Sequence, residues 1–468
     1  MYTKKQTSKT ALYFIYFVSI VFSFAYGVLY YSSYPYLYDN LPITTKNLLE
    51  MTYFIMAACG VIHVIASPIG KKIINFKVLL FFALIFQCLG CYLIAFVNID
   101  FIHIGFAIYS VGYGFIVTCV TVFLNYYIEA KETDKSGVKL IFTIDLLCFN
   151  LGMLAGAATG LFVIELGNLF CIAFLVCGVA VLGFIFFHDY LILRVKLSDY
   201  KIKRAVTFSI VCTLLVLLIY KGFRYPHLVD LVIILTAIAL IIFMFINYFS
   251  VKDKQKIKLK AFFIYQFISI TYWSCYAVIP LLMLFIIKFH SDSSLFGYQW
   301  LMSPEWIGII NTLVTIMFSL FLAAIYYKKV RLSYYHSFQI SIGIMVIAFL
   351  VLVFAAFGAI GKEMSLTLII GFVVIAAISE VLILPLNYTL VEQAVPLKVQ
   401  EIYVGATAFM IKSFSTVVAG AFIRESIFSS DVTDILSGMK VVFITISIVL
   451  IVSFAILSTI AKRACKEV

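Results

Sequence analysis

The sequence predicts an all-α membrane protein, and three observations predict it. First, hydrophobic residues make up 64% of the 468 and charged residues only 12%, and the mean hydropathy is +1.12. A soluble domain has no way to hide that much apolar surface, since even a large one buries only about three quarters of its unfolded surface. Second, apolar runs of about 20 residues recur along the chain, the length that crosses about 30 Å of hydrocarbon. Third, the basic residues collect on one side of the topology those runs create. Alternating polar-in strands are missing, so a β-barrel is excluded.

In chain order the spans fall near 11–38, 48–67, 77–97, 100–127, 140–163, 168–190, 206–220, 227–249, 261–288, 304–327, 337–358, 366–394, 401–423 and 441–461, fourteen in all. The lead "MYTKKQTSK" is short and basic, with no small-residue cleavage site, so the first span reads as retained. With both ends cytoplasmic, 26 of the 34 lysines and arginines fall on inside segments and 7 on outside loops, while Lys412 lies within a span. This positive-inside bias fixes the orientation. The net charge of +12 is therefore a topology signal that also favours anionic lipid, and nucleic acid is not an expected partner.

The longest basic connections, "RVKLSDYKIKR" and "VKDKQKIKLK", flank spans seven and eight. They divide the chain into a six-helix bundle (1–192), a two-helix insert with basic flanking loops (193–260) and a second six-helix bundle (261–468). Six plus six, with an even span count, is the plan of the major facilitator fold, whose two halves enclose a site near the bilayer midplane. The insert has few polar residues, as expected of a peripheral hairpin with a scaffold role. Nine of the ten cysteines lie in spans; Cys88 and Cys91 stand at CxxC spacing but share one helical face within lipid, so the cysteines read as small packing residues, with no disulfide framework and no metal site.

An ionisable residue within a span is costly and usually faces a cavity or a partner. Asp145, Glu380 and Lys412 are such residues. His63 reads as a hydrogen-bonded packing residue. Glu129 and Asp189 sit at cytoplasmic ends. The segment "AAISEVLILPLNYTLVEQAVP" (376–396) places Glu380, Asn387 and Tyr388 on one helical face. Its Pro385 frees a backbone carbonyl, which suits a bent, gating wall of a cavity. Glu380 lies about 14 residues from the inner end of its helix and Lys412 about 11 from the start of the next, a depth difference of about 5 Å at 1.5 Å per residue. The two therefore read equally as a structural ion pair or as a functional pair. Tyr26 and Tyr30 share a face of the first span, and Tyr265, Tyr272 and Tyr276 a face of the ninth. Tyrosine suits both a cavity wall and helix packing. No nucleotide loop, HExxH, GxSxG or channel filter is present, so an enzyme and a primary pump are not expected.

Several stretches resemble the proton-dependent oligopeptide transporter family. "SEVLILPLNYTLVEQAVP" with "EIYVGATAFMIKSFSTVVAGAF" is similar to its second-half signature, "SPEWIGIINTLVTIMFSLFLAAIYY" to its tenth segment, "DLLCFNLGMLAGA" to its fifth helix and "ASPIGKKIINFKVLLFFALIFQCLG" to the stretch after its second. The resemblance implies a secondary transporter of di- or tripeptides or related amine-bearing solutes, proton-coupled and without a cofactor. It also implies that Asn150, Asn311 and Glu380 hold the substrate's amino terminus. The family's ExxERF charges fall here at Val18, Val21 and Phe22, its fourth-helix lysine at Val117, its ninth-span acid at Ala277 and its thirteenth-span tryptophan at Thr407, and no acidic residue lies between Ala66 and Ile69. A buried charged cluster lost as a set can be neutral, whereas losing one partner strands the rest.

The expected substrate site is then Glu380, Asn311, Asn150, Tyr26, Tyr30, Tyr272, Trp273 and Lys412, with Glu380 and Asp145 as proton carriers and Pro385 as the gating bend. Lys412 has two open roles, holding a substrate carboxylate or tying up Glu380. The chain is expected to work as a monomer in a bacterial cytoplasmic membrane. A facilitator or exporter of another metabolite and a non-transporting receptor are the alternatives.

Overall fold

A computed structural model describes residues 8–33, 45–96, 102–163, 165–192, 202–223, 225–289, 291–292, 294–295, 298–299, 305–329, 333–359, 363–427 and 435–461. The described residues form fourteen helical passes, one on each expected span. Helix α1 is Lys9–Gly27, continued by a π-turn at Val28–Ser33, and α2 is Thr45–Pro68 with a π-turn at Ile69–Ile73. Then follow α3 (Phe76–Phe96), α4 (Ile102–Ala130), α5 (Lys135–Phe162) and α6 (Leu166–Phe187). The insert is α7 (Ile202–Gly222) and α8 (Pro226–Ser250). Helix α9 is Asp253–Tyr276, resumed after Ala277 as Val278–Phe289. The rest are α10 (Glu305–Tyr327), α11 (Tyr334–Phe357), α12 (Leu366–Ala394), α13 and α14 (Ile435–Ile456). Helix α13 is Gln400–Phe409 and Ser415–Ile427, joined by a π-turn at Met410–Phe414. Twelve of these are long and apolar enough to cross a membrane. Strand structure among the described residues is one two-residue hairpin, Ser294–Leu295 with Tyr298–Gln299.

Local signals set the helix ends. Asp134 caps α5 by accepting from the Gly137 amide at 3.2 Å, and Ser333 caps α11 by accepting from the His336 amide at 3.2 Å. Pro226 opens α8 at a position where its missing amide costs nothing.

Between apolar helices in lipid, association rests on close packing and interhelical hydrogen bonds, which favours small residues at the contacts. Gly152 shows this between α5 and α1, where a methyl group added to it would lie 2.1 Å from the Ile20 carbonyl oxygen. Gly405 does the same between α13 and α2, with the His63 carbonyl oxygen at 2.4 Å. Polar stitches join the same neighbours. The Tyr16 hydroxyl donates to the Ile141 carbonyl at 3.1 Å, and the Ser413 hydroxyl to the Ala57 carbonyl at 2.6 Å. His63 is fully buried with its Nδ1 2.9 Å from the Gly114 carbonyl, a packing geometry.

The two halves meet along α2 with α13 and along α5 with α10. At the inner end of the first seam, Lys71 bridges to Glu401 at 2.9 Å, Tyr126 donates to the same carboxylate at 3.2 Å, and Ser67 donates to the Glu401 carbonyl at 2.6 Å. Helices α7 and α8 turn rows of leucine and isoleucine outward, such as Leu231, Leu235, Ile238 and Ile242. Their inner faces are pinned by Arg424 to Asp230 at 2.9 Å and by Phe54 against Phe223.

Helix α12 runs through Pro385 without ending. The expected shared face of Glu380, Asn387 and Tyr388 does not hold together. Asn387 is buried against α9, accepting from the Ser269 hydroxyl at 2.6 Å, while Tyr388 stacks toward Phe142 of α5. Seven residues place Asn387 nearly above Glu380, but Tyr388 lies a further 100° round the helix, and α9 fills the space on the Asn387 side.

Candidate functional site

A cavity of about 180 Å³ lies between the halves. Helix α1 contributes Tyr26 and, from its π-turn, Tyr30 and Tyr31. Helix α5 contributes Phe149 and Asn150, α9 contributes Trp273 and Tyr276, and α10 contributes Asn311. Tyr113 and Cys59 complete the first-half wall, and Glu380 and Lys412 face in from α12 and α13.

The walls are aromatic and mutually packed. Tyr26 stacks on Tyr113 with ring centroids 4.6 Å apart and on Tyr30 at 5.6 Å, and Trp273 meets Tyr276 edge-on at 5.2 Å. The Trp273 indole N–H is buried without a hydrogen-bond partner among the described residues.

Two unlike charges stand in this wall. The Glu380 carboxylate accepts a short hydrogen bond from the Tyr276 hydroxyl. Lys412 sits in the π-turn of α13, where the widened helix is stabilised by side-chain hydroxyls: Ser415 donates to the Met410 carbonyl at 2.9 Å and Thr416 to the Lys412 carbonyl. Such π-turns often mark functional positions, because they re-aim one side chain within an otherwise regular helix. The Lys412 ammonium lies 5.7 Å from the Tyr113 ring centroid and 5.9 Å from that of Phe149, within cation–π reach.

A second cavity of about 70 Å³ adjoins the first toward the Lys135 end of α5, and Lys412 lines both. Asp145, Pro385 and Tyr388 face this smaller space. Asp145 is held by the Ser19 hydroxyl of α1 at 2.6 Å. Asp145 and Glu380 are both electrostatic neighbours of Lys412, one from each half of the molecule.

Of the expected substrate residues, Glu380, Asn311, Asn150, Tyr26, Tyr30, Trp273 and Lys412 all line the main cavity. Tyr272 does not: it is buried behind Tyr276, with its hydroxyl 2.9 Å from Ser379. The Asn150 amide donates to the Leu146 carbonyl of its own helix at 2.9 Å. The fixed Glu380–Lys412 ion pair is also not formed. Among the described residues Lys412 makes no ion pair, and the partner of Glu380 is Tyr276. Similar depth brought the two helices' charges to one cavity without pairing them. Tyr31, Tyr113 and Phe149 were not anticipated, while Tyr276 stood out only through the face it shares with Tyr265 and Tyr272.

No family model matches the sequence, and no curated protein matches it. Solved structures do. A POT family transporter in complex with a thioalcohol-conjugated peptide has a TM-score of 0.80 at 14% identity, with 97% of this chain and 96% of that one covered. A POT family transporter in complex with 5-aminolevulinic acid gives 0.79 at 15%, covering 97% and 96%. A bacterial homologue of the human drug peptide transporters PepT1 and PepT2 gives 0.75 at 15%, covering 97% and 98%.

The chain has the POT transporter fold.

Within the POT fold, the first-half positions where the resemblance places charges are filled by packed apolar side chains. Val18, Val21, Phe22 and Val117 are all buried. Phe22 packs at 5.7 Å on both Tyr113 and Phe149, the two rings that Lys412 faces. Among the described residues, the cation that lines the cavity is Lys412 of α13, in the second half.

Proposed function

We propose that the protein is a secondary active transporter of the major facilitator type, carrying small amine-bearing solutes, di- and tripeptides among them, across a bacterial cytoplasmic membrane. The observation that carries this reading is a cavity between two six-helix halves, with a carboxylate and an ammonium on its wall and no ion pair between them. Glu380 receives the substrate amine, with Asn311 and Asn150 beside it, and Lys412 receives the carboxylate. The solved structures of the same fold that hold a conjugated peptide and 5-aminolevulinic acid, itself an amine joined to a carboxylate, support a ligand of this type.

Alternating access follows from rocking the halves about the seams of α2 with α13 and α5 with α10. Pro385 lies in the α12 wall where that motion bends the cavity. Glu380 and Asp145 are the proton carriers in this reading, since each is a carboxylate in a cavity beside Lys412. Reconstituted into liposomes, the protein should accumulate labelled substrate when the outside is acidified, and an uncoupler should abolish the accumulation. Uptake indifferent to the gradient and the uncoupler would leave a facilitator, a second reading favoured by the apolar packing of Val18, Val21, Phe22 and Val117. Absence of uptake for every solute that binds would overturn transport itself.

A further inference from the structure

We propose that the cavity selects a compact zwitterion the size of one aromatic amino acid, with its amine on Glu380, its carboxylate on Lys412, and an uncharged ring against Tyr26 and Phe149. This rests on the reading of the same cavity as the substrate site.

Four features lead there. The first is size. The space of about 180 Å³ is close to the roughly 150 Å³ that accepts a benzene ring in an engineered protein cavity. It suits one ring with a short polar backbone.

The second is charge. Among the described residues of the main cavity wall, Glu380 is the one acid and Lys412 the one base. A substrate with one amine and one carboxylate satisfies both. A third charge, as in lysine or glutamate, finds no further partner on the main wall, since Asp145 faces the smaller cavity and is held by Ser19, and burying it there is costly.

The third is the unpaired ammonium. Lys412 lines the cavity over the Tyr113 and Phe149 rings, with Asp145 and Glu380 as electrostatic neighbours but in an ion pair with neither among the described residues. A substrate carboxylate is the group that supplies its missing partner.

The fourth is the wall itself. Tyr26, Tyr30, Tyr113, Phe149, Trp273 and Tyr276 offer ring faces and edges at stacking distances. A substrate ring gains offset or edge contacts there that an aliphatic side chain cannot match.

The test is calorimetry on the purified full-length protein in detergent, with L-phenylalanine, phenethylamine, 3-phenylpropionate, L-lysine, L-glutamate and trialanine as probes. Phenylalanine should bind best, and each of the others at least about tenfold more weakly, because a site that hydrogen-bonds a group rejects analogues lacking it. In Lys412→Met, phenylalanine and phenethylamine should bind alike; in Glu380→Gln, phenylalanine and 3-phenylpropionate should bind alike. If Lys412→Met does not fold, Lys412→Arg should fold and keep the preference for phenylalanine over phenethylamine. Trialanine or lysine binding as well as phenylalanine would overturn the proposal, as would no binding of phenylalanine. Phenylalanine binding with these dependences but no uptake in liposomes would overturn transport alone. Tripeptide uptake without phenylalanine binding would overturn this proposal alone.

Discussion

Glu380 and Lys412 face one cavity from adjacent helices without pairing. Glu380 accepts from Tyr276, and Lys412 lies over the rings of Tyr113 and Phe149. Opposite charges held apart in a low-dielectric space leave each able to bind a ligand group of the other sign. They also make the empty site costly, because neither charge has its full complement of partners.

The cost gives the first prediction. Lys412→Met removes a cavity cation that has no ion pair, so the unliganded protein should melt no lower than the wild type in detergent. A fixed ion pair predicts the reverse, a loss of about 3–5 kcal/mol. A thermal melt of the two proteins without ligand separates these outcomes.

The two tyrosines of α9 give the second. Tyr276→Phe removes the donor that holds the Glu380 carboxylate in position, and affinity for an amine-bearing substrate should change by about tenfold or more, the size of a charge-assisted hydrogen bond. Tyr272→Phe acts behind the wall and should leave affinity within about twofold while costing about 1 kcal/mol of stability through Ser379. Titration of both variants decides it, and equal effects on affinity would contradict the assignment.

The clasp at the inner end of the α2–α13 seam gives the third. Glu401 is only 5% exposed while Lys71 is 25% exposed. Lys71→Met alone takes the cation from a buried carboxylate, which keeps the Tyr126 hydroxyl, and should cost about 3 kcal/mol, at the low end for such pairs because the lysine is partly solvated. Adding Glu401→Leu should recover most of that loss. Unfolding curves of the single and double variants check it, and a double variant no better than the single would show that the pair is not the unit.

Two glycines give the fourth. Gly152→Ala places a methyl against the Ile20 carbonyl and Phe24 amide and should destabilise by about 1–3 kcal/mol as the helices are forced apart. Gly371→Ala meets nothing within 4 Å and should be neutral or stabilising by up to about 1 kcal/mol. Melting temperatures of the pair test whether close α1–α5 packing is required.

The fold was legible in the sequence because lipid imposes a coarse rule. Each span must be long and apolar, and each inner loop tends to be basic, so fourteen passes could be counted from hydropathy and charge. The charged members of the site were legible for the same reason, as Asp145, Glu380 and Lys412 stand out against hydrocarbon. The aromatic wall was not. With 46 phenylalanines and 30 tyrosines, a ring carries little positional information. Which ring faces the cavity depends on helix rotation, and a single turn separates Tyr276 in the wall from Tyr272 behind it. The π-turns at Val28–Ser33 and Met410–Phe414 shift that rotation locally, which periodicity cannot register. Asn387 misled for a related reason, since its polarity is spent on Ser269 in a helix contact rather than on the cavity.

The most direct measurement uses Cys59, which lines the same cavity as Glu380 and Lys412. The rate at which a small thiol reagent modifies Cys59 in the full-length protein can be followed by mass spectrometry of the peptide that carries it. A substrate that the protein binds should slow modification of Cys59 in proportion to its occupancy, and in Glu380→Gln the protection should require about tenfold more substrate. An unchanged rate of Cys59 modification at saturating substrate would contradict the assignment of this cavity as the substrate site.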